Sequence, residues 1–128
     1  YISYEEAISV YAKMIDASDG GFDGVRDEGG IRAALEFVQN DMYYPNFSDK
    51  LCSLVYKFCS GQYFNDGNKR IALTLGAYFL YKNSHVWQAA IFMRQMESIV
   101  YHVAASNINQ DLLHRIMTCF MNGEDYDE

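Results

Sequence analysis

The chain is short of cations, of proline and of cysteine, and it contains no long apolar run. Ten Lys and Arg stand against seventeen Asp and Glu, a formal charge of −7. With no basic cluster longer than Lys69-Arg70 to follow a phosphate backbone, nucleic-acid binding is not expected. No stretch approaches the ~20 uninterrupted apolar residues that a bilayer span needs, and the N-terminal end lacks a charged segment leading into an apolar one. The expectation is a soluble protein with no membrane partner. Cys52, Cys59 and Cys119 are odd in number and lack C-x-x-C spacing, which argues against a disulfide framework and against a zinc site. Their positions on apolar helical faces suit buried thiols in a reducing cytoplasm. What the chain does have is apolar and aromatic residues: 50% and 16% of its 128 positions, well beyond a disordered tail and enough for one compact domain over 1–128.

Periodicity predicts an all-α fold of about six helices. Ser3-Tyr4-Glu5-Glu6 fits a capping box, followed by Ile8, Tyr11, Ala12 and Ile15, for a helix over about 4–17. Ser18-Asp19-Gly20-Gly21 ends it. Residues 20–30 are glycine-rich and suit a loop or a short β-hairpin. Ile31, Ala34, Leu35 and Val38 give a second helix over about 29–41, ended by Tyr43-Tyr44-Pro45, because the only proline biases Tyr44 toward extended backbone. The two tyrosines either stack on an adenine or, as is commoner, pack on the core or its rim. Ser48 is a candidate N-cap for a third helix, with Phe47 and Cys52 as a hydrophobic staple and Leu51, Leu54, Val55, Phe58 and Cys59 as its stripe. The run from Ile71 to Tyr81 is apolar on almost every side, so a central helix over about 68–83 is expected to be buried all round. Asn83-Ser84 stops it and His85-Val86-Trp87 connects onward. Met93, Met96, Ile99, Val100 and Val103 mark a fifth helix over about 90–105. Leu112, Leu113, Ile116, Met117 and Phe120 mark a sixth, closed by Asn122-Gly123. The acidic tail 124–128 is expected to fray.

The chemistry concentrates just ahead of the central helix, in Gln62-Tyr63-Phe64-Asn65-Asp66-Gly67-Asn68-Lys69-Arg70. A helix start offers backbone N–H groups without intrahelical partners and about half a positive charge, so an anion is favoured there. Asn68, Lys69 and Arg70 lie where that anion would sit. Gly67 permits a tight turn with positive φ and a close backbone approach. Asp66 offers a hard oxygen suited to Mg²⁺ shared with phosphates. Cations in a first helical turn oppose the dipole unless an anion accompanies them. The physical reading is a phosphate site.

This segment resembles the signature of the Fic/Doc family, a His-x-Phe-x-(Asp/Glu)-Gly-Asn-x-Arg loop running into a central helix. Phe64, Asp66, Gly67, Asn68 and Arg70 match it in place. Lys69 and Leu73 resemble the Doc branch of toxin–antitoxin proteins, where the adenylylating Fic enzymes carry Gly and a second Arg. The likeness in order extends over residues 1 to about 87. It implies ATP and Mg²⁺ as cofactors, with Asp66 on the metal and Gly67, Asn68, Lys69 and Arg70 on phosphates. Phe64 would anchor the loop, and Gly24, Val25, Arg26 and Asp27 would form a flap that lays a target polypeptide across the site. The target would be a protein, for Doc the elongation factor Tu, in the cytoplasm. No Ser/Thr-x-x-x-Glu-Gly inhibitory motif is present, so inhibition would come from a separate antitoxin peptide or protein.

One position departs from the signature. The family's His, by resemblance the general base, is Gln62 here, and an amide cannot take up the hydroxyl proton, a task worth ~10²–10⁴-fold. The chain reads as nearly inactive, either as a natural pseudo-enzyme that binds nucleotide or antitoxin, or as a toxin disarmed by substitution; the intact phosphate residues favour the second. His85, His102 and His114 are not placed to replace it, and no two share metal-ligating i, i+4 spacing. AMP transfer, the commoner Fic reaction, is the alternative to phosphoryl transfer, and Lys69 and Leu73 stand against it.

Overall fold

A computed structural model of the chain describes residues 1–17 and 24–123. Among them the architecture is all-α, with six helices: α1 Tyr4–Ala17, α2 Glu28–Phe37, α3 Phe47–Ser60, α4 Asn68–Lys82, α5 Val86–Ala104 and α6 Gln110–Asn122. The expected loop composition at 18–23 and the tail at 124–128 lie outside the described residues. No helix among those described is long and apolar enough to cross a membrane.

The first helix starts as its capping box dictates. Glu6 N–H donates to Ser3 Oγ at 3.1 Å, and Ser3 N–H donates back to Glu6 Oε1 at 2.9 Å. The same carboxylate accepts from Lys82 Nζ and from the Tyr78 hydroxyl, each at 2.8 Å, and so ties α1 to the last turn of α4. These donors, Lys82 first, hold the Glu6 carboxyl well below the ordinary 4.5, at about 2. The carboxyl is depressed in the folded chain, so its stabilising effect is present above about 4.5 and is lost as pH falls through about 2. Melting temperatures of the parent and Glu6→Gln proteins are therefore expected to differ at neutral pH and to converge toward pH 2. A constant gap across that range would refute the linkage.

Two helix starts differ from expectation. α3 is capped by Asn46, whose N–H donates to Asp49 Oδ2 at 3.1 Å, and not by Ser48. The helix begins at Phe47, whose ring stacks on Phe79 of α4, centroids 4.9 Å apart; with Asn46 as cap, Phe47 is the first helical residue and no longer holds the position before the cap that the expected staple with Cys52 requires. α5 begins at Val86, so His85 is the cap and Val86-Trp87 are helical rather than a connector. The α4–α5 turn is tight: Ser84 adopts φ 70 and His85 N–H returns to Leu80 O at 2.9 Å. The second helix also stops early, at Phe37, well before Pro45. There the Asn40 side chain accepts from the N–H groups of Met42 and Tyr43, and Lys50 Nζ donates to Val38 O at 2.9 Å, so local side chains replace the helical ladder. By contrast α6 ends as expected, with Gly123 left-handed at φ 73.

Helix α4 sits between α1, α3 and α5 and carries the core through Ile71, Ala72, Leu75, Gly76, Phe79 and Leu80. It is not buried all round, since Tyr81 is 62% exposed and Thr74, Ala77 and Tyr78 are only half-buried. Gly76 sets its distance from α5. A Cβ there would lie 2.6 Å from the Phe92 ring and 3.0 Å from Val55, so the two helices approach more closely than any side chain at 76 would permit. Cys52 and Cys59 are buried free thiols, which burial pushes up to about 12 and about 11, while Cys119 is half-buried. One buried hydroxyl, Ser53 Oγ, has no hydrogen-bond partner among the described residues. Ser53→Ala is expected to raise unfolding free energy in urea by about 1 kcal/mol, because it deletes an unpaired buried polar group. A decrease would mean that the hydroxyl is satisfied in solution.

Candidate functional site

The loop between α3 and α4 is built inward from Phe64. Its ring is fully buried and stacked on Tyr11 of α1, centroids 4.0 Å apart and 17° from parallel. The Tyr11 hydroxyl donates to Asp66 O at 2.8 Å, so α1 fixes both the anchor and the turn that follows it. Asn68 closes the loop from the other side: Oδ1 accepts from Phe64 N–H at 3.1 Å and Nδ2 donates to Phe64 O at 3.0 Å. The carboxamide expected to grip phosphate is thus engaged in shaping the loop. Gly67 is left-handed at φ 79, where an added Cβ would meet Met14 Cε at 3.0 Å, so both backbone and space call for glycine.

The segment Gly24, Val25, Arg26 and Asp27 runs alongside this loop. Arg26 and Asp27 N–H both donate to Tyr63 O, at 2.8 and 3.0 Å, and Asn65 N–H donates to Gly24 O at 3.0 Å. The hairpin anticipated here is, among the described residues, one isolated antiparallel bridge, Val25 to Phe64. Asp27 turns at once to cap α2, accepting from Gly30 N–H at 2.8 Å, which leaves too few residues for a strand.

Beside the loop lies a cleft of about 1010 Å³, at the upper end of the ~300–1,000 Å³ of small-molecule sites. Gln62, Asp66, Gly67, Asn68, Lys69 and Arg70 line it together; Phe64 and the four flap candidates do not. The first helical bond of α4 is Ile71 N–H to Gly67 O at 2.9 Å, so the N–H groups of Asn68, Lys69 and Arg70 precede the ladder. Gln62 is exposed and left-handed at φ 56, a conformation that costs a non-glycine residue ~1–2 kcal/mol. Asp66 Oδ1 accepts from Gly67 N–H at 2.8 Å. No group of three or more His, Cys, Asp or Glu among the described residues is arranged to hold a metal ion. A single carboxylate of this kind fits Mg²⁺ where phosphate oxygens supply other ligands.

The far wall was not anticipated. Arg94, Glu97, Ser98 and Tyr101 of α5 face the cleft at i, i+3, i+4 and i+7. Their signal was legible as a polar stripe running beside the apolar one, but nothing local says what that stripe confronts. Of the cations, Lys69, Arg70 and Arg94 line the cleft with no ion pair among the described residues, whereas Arg32, Lys50 and Lys82 are each paired with a carboxylate elsewhere. These three cations share the lining with two carboxylates, Asp66 and Glu97, so on a chain of charge −7 the cleft carries one net positive charge. None of the histidines lines it: His85 packs on Phe47, His102 meets Asn107, and His114 pairs with Asp49. Tyr43 and Tyr44 cluster with Phe37 and likewise stay outside.

The amide end of a core helix thus opens into a cleft that a carboxylate, Asp66, and the cations Lys69, Arg70 and Arg94 line. The chain belongs to the Fic/DOC family, whose model matches residues 1–80. That match covers the anchoring helix, the loop and most of α4, and it supports, at the level of the family, a Fic-type nucleotidyl-transfer function. A search of curated proteins finds no match.

Proposed function

We propose that this chain is a Doc-like group-transfer scaffold that binds ATP with Mg²⁺ and directs its phosphoryl group to a hydroxyl of a protein such as elongation factor Tu. The observation that carries the reading is the set of unpaired cations, Lys69 and Arg70, on the first turn of α4 inside the cleft. In phosphoryl transfer the protein's contribution is positioning and charge neutralisation rather than covalent chemistry. Here the N–H groups at the start of α4, with Lys69 and Arg70, would orient phosphate oxygens, and Gly67 lets the backbone approach them. Asp66 would hold the metal, which when bound neutralises charge on those oxygens. Phe64, Tyr11 and Asn68 keep the loop in one shape, so the donors need no rearrangement.

Gln62 stands where a base would take the target's proton. Its amide leaves that proton with no acceptor, so the chain is expected to bind without turning over. The backbone pairing of residues 24–27 with Tyr63 and Asn65 supports the role of Gly24, Val25, Arg26 and Asp27 as the edge along which a target polypeptide lies. Control would fall to a separate antitoxin, in the cytoplasm.

The test is to incubate Gln62→His protein with ATP labelled at the γ or at the α position and a cell extract. Label on protein from γ alone supports phosphoryl transfer, and label from α supports AMP transfer instead. Label from neither would leave a binding module.

A further inference from the structure

Helices α4 and α5 are antiparallel neighbours joined by the short turn 83–85, and the contact of Gly76 with Phe92 fixes their register. In that register each step back along α4 matches a step forward along α5. Arg94 then falls level with Thr74, about 6 Å, or one helical turn, beyond Arg70. Tyr101 falls near Gly67. On α4 itself the cleft residue one turn in from Arg70 is Leu73, which is apolar and buried, so that level of the cleft receives no charge from α4. Arg94 is exposed, and its side chain forms no hydrogen bond, ion pair or ring contact among the described residues. No polar partner among the described residues therefore accounts for its place in the wall, and Glu97, one turn along, is not within ion-pair distance of it.

We propose that Arg94 is a specificity-determining residue: from the α5 wall it holds the far phosphates of a polyphosphate chain whose near end rests on the start of α4. The cleft then selects chains of several phosphates over a single phosphate, because only a longer anion reaches both walls. This rests on the phosphate-site reading given above and names the part of the ligand that the second wall recognises.

The experiment measures binding of inorganic tripolyphosphate and of orthophosphate to the full chain and to Arg94→Gln, Arg94→Lys and Arg70→Gln proteins. Arg94→Gln is expected to weaken tripolyphosphate about tenfold, the scale of one charge-assisted contact, and to leave orthophosphate within about twofold. Arg94→Lys keeps the charge and should stay within about threefold of the parent for both. If Arg70→Gln weakens tripolyphosphate while Arg94→Gln does not, the role of Arg94 is overturned and the phosphate site stands. Equal losses of both anions in Arg94→Gln would also overturn it, since the effect would then not depend on chain length. If neither variant changes binding, the phosphate site falls, and this inference with it.

Discussion

Gln62→His protein is expected to transfer label from ATP to protein about 10²–10⁴ times faster than the parent chain, the usual worth of a general base. The exchange leaves the fold nearly untouched. Position 62 is exposed and left-handed, and histidine carries much the same backbone cost there as glutamine. Since only the neutral imidazole accepts a proton, the regained rate should rise with pH through about 6.5 and level off above it. A time course of labelled protein at several pH values measures both effects. Equal rates for the two proteins would remove proton acceptance at 62 from the mechanism.

Phe64→Ala is expected to lower unfolding free energy by about 3–5 kcal/mol, the range for truncating a fully buried aromatic ring. Here the loss extends to the site. The ring fills the space against Tyr11, and the backbone of the same residue is clasped by the Asn68 carboxamide. Once the ring goes, the Tyr11 side chain, whose hydroxyl holds Asp66 O, loses the partner it is stacked on. Urea unfolding gives the stability change. Tripolyphosphate binding, measured below the unfolding transition, should fall by more than the unfolded fraction accounts for. Binding of full strength by the folded fraction would show that the loop keeps its shape without the ring.

Features decided within a few residues were legible in the sequence. The Ser3–Glu6 box, the Asn122-Gly123 stop and the turn at Gly67 each depend on chemistry inside one loop or one helical turn, and each lies where it was read. Features decided by a distant partner were not. Asn46 and Ser48 are both acceptable caps, and the choice between them falls to Phe47 stacking on Phe79. α2 gives way where Lys50, from the next helix, reaches back to Val38. The near wall of the cleft was read because its residues are consecutive. The far wall was missed because it depends on the register that Gly76 and Phe92 set between two helices.

The three-residue turn between α4 and α5 has a bearing on how the molecule assembles. Bringing those helices together closes a very short loop, so their pairing loses little chain entropy and can precede the contacts with α1 and α6. Both walls that carry the cations belong to that hairpin, whereas the anchoring of the loop through Phe64 and Asp66 needs Tyr11 from the opposite end of the chain. Assembly in order of loop length would bring the cations together first and settle the loop geometry last, so that a partly folded chain would present its positive charges before the cleft is rigid enough to tell one anion from another.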